Sequence, residues 1–469
     1  MNLIQQKFGN SFSENIFRNV FIVWFLLFPF DANFLPISIG FMTLYPSLFL
    51  VFFLLGYSFL NKTREIIATA DKLVISFFIL WVIYGLAFFP FVHDKKIAFY
   101  EIRSLILMTA TIWMIFRAYY ILGKNNFFDI IFRLSVFIFI LLTTIAFFEF
   151  FTGIHFAGKH TEKLWDFPVG MHTYAPVFLY DNPNTFLCYL FGAALLVFLA
   201  GKEKINEWKI FAIIFILFFF SIVSDSRFGK ISVYILLAVW IINFSLRQNT
   251  SGIKKYISWI ALSALALIFC TVTKEIYKGP YWKDSEHYLI PSISSAKIEN
   301  NKINFYSTDS LVKQFGEKEI ISAYREYQMR GTDWSTNIRK NLLLNGIYLT
   351  KQSKFLGVGP AQFRYYHQQK LVPYPTTTVT NPHDGFMEIL SQYGLPILIP
   401  YVFIFLFYWM KAFRSRKQNI SYFLNLTSSF LIFIIISDMP SAFLILNIGW
   451  ILIPILLISS LQFSKEKNA

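Results

Sequence analysis

The sequence predicts an all-α, polytopic membrane protein of about twelve transmembrane helices with one large extracytoplasmic loop. Three observations carry this. Of 469 residues, 56% are apolar and only 15% are charged, against about 25% charged in soluble domains. The apolar residues gather into runs approaching ~20 residues, the length a helix needs to cross a ~30 Å hydrocarbon core. Lys and Arg are also divided unevenly between alternate loops, as in an inserted chain. The composition excludes a disordered chain, a collagen and a disulfide scaffold. The net charge of +15 is therefore read through membrane topology, not as a nucleic-acid-binding surface.

In chain order the predicted spans are 17–32, 35–59, 72–92, 98–121, 127–151, 184–200, 208–224, 229–246, 256–273, 386–410, 421–437 and 443–462. Lys7 and Arg18 lie before the apolar stretch of the first, and no small-residue cleavage site follows it, so it is expected to stay uncleaved. Asp31 and Pro36 crowd it against the second. With the N-terminus inside, the cytoplasmic segments hold eighteen Lys/Arg and the short outer loops hold six. Both termini are thus expected in the cytoplasm. Residues 274–384 fit no span; they are polar and about 110 long, more than a mere connector needs. A smaller outer loop covers about 152–183. The chain divides into residues 1–273 with nine helices, the outer loop 274–384, and residues 385–469 with the last three helices. Cys188 and Cys270 each lie in an apolar run, and neither a disulfide nor a redox role is assigned to them.

Chemistry can reside in a few blocks. In Asn381-Pro382-His383-Asp384-Gly385, Asn381 can cap a helix and Pro382 suits its first position. That puts His383 in the opening turn of the tenth span, at the outer face. The partial positive charge of a helix N-terminus disfavours imidazolium and favours a nearby anion. His383 would then be neutral and able to accept a proton; the alternative is an interfacial histidine without special chemistry. Ser226-Arg227 lies in a very short outer turn, which holds Arg227 at the membrane boundary. Arg suits bidentate phosphate recognition, and the alternative is a snorkelling anchor. From Trp334 to Leu343 and on through Ile347 the apolar residues recur at helical spacing. This predicts an amphipathic helix resting on the protein or the bilayer, with Arg339 directed to the same outer face. Gly357-Val358-Gly359-Pro360 follows, a turn that lets backbone approach closely but lacks the Lys-Ser/Thr of a phosphate loop. Secondary candidates are Arg103, one turn inside the fourth span beside Glu101; Asn184, which opens the sixth span; and Asp384. The remaining histidines show no metal-ligand spacing, and no loop carries an Asp-x-Asp pair. No metal site and no cofactor are predicted.

Four blocks together resemble the O-antigen ligase and polymerase family of bacterial inner membranes. They are Asn182-Pro183-Asn184, Ser226-Arg227 after a long apolar span, Gly357-Val358-Gly359-Pro360 with Phe363, and Asn381-Pro382-His383 with Glu388-Ile389-Leu390 and Tyr393-Gly394. Their order, spacing and position before the last helices match over about 180–400. Two departures stand out: Asp384 replaces a common Asn, and Ile397 stands where a second glycine is usual. The resemblance implies a GT-C-like glycosyltransferase architecture in the inner membrane, with its active site on the periplasmic face. It implies transfer of a glycan from a polyprenyl (undecaprenyl) diphosphate carrier to an acceptor hydroxyl, without a metal. On that basis His383 accepts or orients the hydroxyl proton, while Arg227 and Arg339 bind the diphosphate. Partners would be the lipid-linked donor, an acceptor that is a lipid-linked repeat unit or lipid A-core, membrane lipids, and other polysaccharide-assembly proteins. A polymerase of O-antigen or other surface-polysaccharide repeats is preferred, with a ligase of finished chains as the alternative. A transporter or flippase stands further back, because no internal repeat and no Gly/Pro-broken helix around a midplane site is read.

Overall fold

A computed structural model of the chain describes residues 2–27, 29–30, 37–39, 42–44, 46–60, 69–152, 176, 178, 180, 183–201, 205–224, 226–247, 264–265, 268–270, 272, 297–299, 302–304, 334–376, 379–417, 419–438, 442–444 and 446–465. In chain order they form α1 (Asn2–Leu27), β1 (Ile37–Ile39), β2 (Met42–Leu44), α2 (Pro46–Leu60), α3 (Thr69–Phe88) with a 3-10 turn Phe89–Phe91, α4 (Lys95–Leu122) and α5 (Lys124–Thr152). Next come α6 (Pro183–Ala200), α7 (Glu207–Val223), α8 (Arg227–Arg247), β3 (Lys297–Glu299), β4 (Lys302–Asn304) and α9 (Trp334–Gln352). The chain closes with α10 (Gln362–Gln368), α11 (Gly385–Arg414), α12 (Ile420–Asp438) and α13 (Asn447–Lys465). Among the described residues the strands make two small antiparallel hairpins.

Among the described residues six helical stretches are long and apolar enough to cross a membrane: Asp71–Phe91, α4, α5, α6, α11 and α12. Shorter apolar stretches lie at Pro46–Ser58 and Asn447–Phe463. This is the helical composition of a multi-pass membrane protein. The expected second span, 35–59, is corrected at its start. Ile37–Ile39 pairs with Met42–Leu44 as a hairpin, and the helix begins only at Pro46. Apolar count alone does not separate a strand from a helix, and Pro at a first helical position is favourable. Most of the expected ninth span, of the loop at about 152–183 and of 274–333 lies outside the described residues.

The helix α13 runs through the centre, with every residue from Ile448 to Ser460 buried. It packs on α4, α6, α11 and α12. Gly192 of α6 makes room for Ile448, since a Cβ there would sit 2.3 Å from its Cγ1. Small residues of this kind let helices approach where lipid gives no hydrophobic drive. Polar bridges add to the packing: Asn243 donates to Asn425 at 2.7 Å between α8 and α12, and Arg117 donates to the Ser58 carbonyl at 2.9 Å. Such bonds average about 0.6 kcal/mol in a bilayer. Outward faces carry exposed Phe49, Phe52 and Phe53 on α2 and Ile399 and Phe403 on α11, which suits contact with lipid tails.

Contrary to the expectation of unbroken spans, α11 is broken at Gly394 (φ 70°, ψ −170°), just before Pro396. The break would leave the Ser391 and Gln392 carbonyls and the Leu395 amide without helical partners. The segment 355–359 supplies all three. Val358 donates to Ser391 and Gly359 to Gln392, and Leu395 donates to Phe355, each at 2.9 Å. Inside a membrane protein, broken backbone is tolerated where other protein satisfies it in this way. The glycine-rich turn therefore makes the close approach read from its sequence, and its partner is α11.

The helix α9 forms where an amphipathic helix is expected. It carries a small separate core of Ile338, Leu342, Leu349 and Phe363, joined by Val358, Tyr366, Val372 and Val379. Asn345 ties this cap together by donating to the Tyr374 carbonyl and accepting from the Tyr374 amide, at 2.8 and 3.0 Å. Its amide also lies 3.0 Å from Nε2 of buried His367, whose Nδ1 faces the Phe363 carbonyl at 2.8 Å. The cap sits on the start of α11 at Gly346, where a Cβ would lie 2.3 Å from Met387 Sδ.

Candidate active site

The segment entering α11 is set by two aspartates. Asp384 is the N-cap and its Oδ1 accepts from the Met387 amide at 2.7 Å. The next amide, of Gly385, donates to Asp438 Oδ1 at 3.2 Å. Capping by Asp384 corrects the expectation that Asn381 caps the helix. Asp is as good a cap as Asn, and it stands directly before the first helical residue. His383 consequently lies just outside the first turn, with φ +54°. The left-handed region is uncommon for a side-chain-bearing residue, though histidine enters it more readily than most.

Arg339 reaches this segment from α9. Its guanidinium lies 4.8 Å from the Phe228 ring centroid, the residue after Arg227 at the start of α8. Burial, and secondly the charge of Arg339, lower His383 from its ordinary value to about 4. A neutral His383 was expected from the helix terminus; here burial and Arg339 act in that direction. Residues from α8, α9 and the entry to α11 thus converge through Arg339. Arg227 itself is exposed at the first position of α8. Asn184 is the second residue of α6 and half-buried; no hydrogen bond joins it to this group among the described residues.

Beside this group lies a cavity of ≈ 390 Å³. Asn381 and Pro382, the two residues before His383, form part of its wall. Arg103 and Arg364 enter it from α4 and α10. Arg103 lies 5.3 Å from the Tyr100 ring centroid. Two buried carboxylates also line the space, each with an oxygen engaged by the protein. Glu388 accepts from the Phe443 and Leu444 amides at 2.6 and 3.3 Å. Glu101 accepts from the Tyr393 hydroxyl. Arg364 and Asp438 were not singled out from the sequence. Arg364 follows the glycine-rich turn closely, but only the docking of that turn on α11 brings it to the cavity. Among the described residues no group of His, Cys, Asp or Glu is arranged to hold a metal ion.

Residues 210–402 match the family model Wzy_C, described as O-Antigen ligase, which bears out the family resemblance. The matched stretch contains Arg227, Arg339 and His383 and leaves out Arg103 and Asn184. The chain is also similar to the teichuronic acid biosynthesis protein TuaE of Bacillus subtilis (strain 168). The two are 22% identical over 389 residues, 81% of this chain and 70% of that protein. No solved structure matches the chain.

Proposed function

We propose that this protein is a membrane glycosyltransferase that builds surface polysaccharide, moving a glycan from a polyprenyl (undecaprenyl) diphosphate to an acceptor hydroxyl. The supporting observation is the convergence of Arg339 on His383 and on the Phe228 neighbour of Arg227. A proton-accepting imidazole and guanidinium groups are the two things this reaction needs. His383 takes the acceptor hydroxyl proton as the new bond from oxygen to the sugar C1 forms. The bond from C1 to the diphosphate oxygen breaks, and its electron pair leaves on the diphosphate. Arg227 and Arg339 stabilise that charge, the part of the barrier that fixed cationic donors lower most. The cap over α11 excludes water, which would otherwise hydrolyse the donor.

The reading includes twelve spans in a GT-C-like arrangement, cytoplasmic termini, and a site on the outer face of the bacterial inner membrane. Loop charge and the lipid anchor of the donor support that placement. Polymerisation of repeat units is preferred. The description of the family model favours a second reading, ligation of finished chains to an acceptor such as lipid A-core. The broken α11 is a feature shared with transporters, but here the freed backbone groups are met by residues 355–359, not left to a substrate.

Surface glycan from a deletion strain, complemented with wild type or His383→Asn, tests this. Asn suits the left-handed backbone, so the variant keeps the local conformation and loses the base. Wild type should restore a ladder, and His383→Asn should leave a single lipid-linked repeat. Full-length chains stranded on the carrier would mark a ligase, and a ladder unchanged by deletion would overturn both readings. In membranes, EDTA should leave transfer intact; loss restored by Mg²⁺ would contradict a metal-free reaction.

A further inference from the structure

We propose that the pocket where α6 and α8 end and α7 and α12 begin binds a phospholipid with a primary ammonium head, of the phosphatidylethanolamine class. The cavity measures ≈ 60 Å³, and Phe198, Glu207, Trp240, Asn243, Asn425 and Ser428 form part of its wall. Asn243 is only 7% exposed. Its Nδ2 donates to Asn425 Oδ1 at 2.7 Å, but its Oδ1 has no hydrogen-bond partner among the described residues. A buried acceptor is costly to leave unmet, so the site calls for a donor. The carboxylate of Glu207 shares the wall, which selects a cationic donor over a neutral one. Aromatic faces such as those of Phe198 and Trp240 attract the same charge. At about 10–15 Å³ per water-sized group, the space takes a few heavy atoms. The ammonium and two methylenes of ethanolamine are of that size, and a sugar is not.

The surroundings fit the rest of such a lipid. Trp208, next to Glu207, is 63% exposed, and Trp at the end of an apolar helix sits at the membrane–water boundary. Lys209, Arg414 and Lys417 are exposed at the same end of the bundle and supply positive charge for the lipid phosphate. Ile231, Tyr234 and Ile242 form an exposed stripe that leads from this end along α8 and offers the acyl chains an apolar face. A zwitterion whose phosphate meets the basic rim while its ammonium enters the acceptor-lined pocket satisfies both charges. An anionic phospholipid would leave Asn243 and Glu207 unmet. This end lies opposite His383: Phe228, beside Arg339, and Asn243 are fifteen residues apart on α8, roughly 22 Å at 1.5 Å per residue. The pocket is thus outside the transferase site, and its ligand is independent of the transferase reading.

Native mass spectrometry of the full-length protein in detergent, titrated with dioleoyl phosphatidylethanolamine or dioleoyl phosphatidylcholine, tests this. The two heads carry the same charges, but the trimethylated ammonium of choline has no N–H to donate. The first phosphatidylethanolamine should bind at least ~10-fold more tightly than the first phosphatidylcholine. Asn243→Leu keeps the volume and removes the acceptor; Glu207→Gln removes the charge at a half-buried position. Each should cut the preference to about threefold or less. If Asn243→Leu fails to fold, Glu207→Gln decides. Soluble phosphoethanolamine shares the head chemistry and should leave the lipid bound; displacement at equal concentration would assign the pocket to a free head group and overturn the lipid. Equal binding of the two lipids, or a preference that survives in either folded variant, overturns the proposal. Neither result bears on His383, whose role is read from the glycan ladder.

Discussion

Gly359 and Gln392 are joined across the break in α11, the glycine amide donating to the glutamine carbonyl at 2.9 Å. In an intact helix that carbonyl would accept from residue 396, which is a proline and has no amide hydrogen. The turn 355–359 thus completes a helix that its own sequence interrupts. The same docking places α10 and Arg364 beside the cavity, and α9, which carries Arg339, packs on α11.

Close backbone contact makes the turn intolerant of side chains. Gly357 has φ +86°, and a Cβ there would lie 2.4 Å from the Gln392 carbonyl oxygen. Gly357→Ala should destabilise the protein by about 1–3 kcal/mol or more and lower glycan transfer with it. Thermal unfolding in detergent checks this, and an unchanged midpoint would mean that the turn can shift away from α11.

The protonation of His383 gives a pH prediction. Its pKa is lowered from 6.5 to about 4 by burial first and Arg339 second. Between those values the folded state holds fewer protons than the unfolded one. The contribution of His383 to stability therefore declines as pH falls through 6.5 towards 4. The neutral imidazole needed to accept a proton persists down to about pH 5, so the acid limb of transfer should lie well below 6.5. Arg339→Gln should raise the His383 midpoint without bringing it to 6.5, because burial remains. Imidazole NMR of His383 reads this directly, and an unmoved midpoint would remove the coupling of the pair.

Arg227 and Arg339 are expected to need their planar guanidinium. Arg227→Lys should reduce transfer by at least ~10-fold, since lysine cannot grip a diphosphate with a bidentate fork. Phe228→Leu should have a smaller effect, several-fold, by loosening Arg339 from a contact worth about 0.5–2 kcal/mol. Turnover of a lipid-linked donor measures both, and an Arg227→Lys variant with wild-type turnover would count against diphosphate binding there.

The sequence by itself determined the membrane class, the helices of most spans, the amphipathic α9 and the resemblance to a family whose model matches residues 210–402, because hydropathy and short motif blocks are local properties. It also singled out His383, Arg227 and Arg339. Several features needed the tertiary structure. Which residue caps α11 depended on the choice between Asn381 and Asp384, both good caps by type. The hairpin at 37–44 competed with a helix of equal hydropathy. The break at Gly394 was legible as Gly and Pro, but its tolerance depended on a turn some 35 residues upstream. Arg103 and Arg364, far apart in the chain, share a cavity only because residues 355–359 dock on α11 and carry α10 towards α4. Convergence of distant side chains follows from packing and from satisfying buried backbone groups, and no local pattern in the chain encodes either one alone.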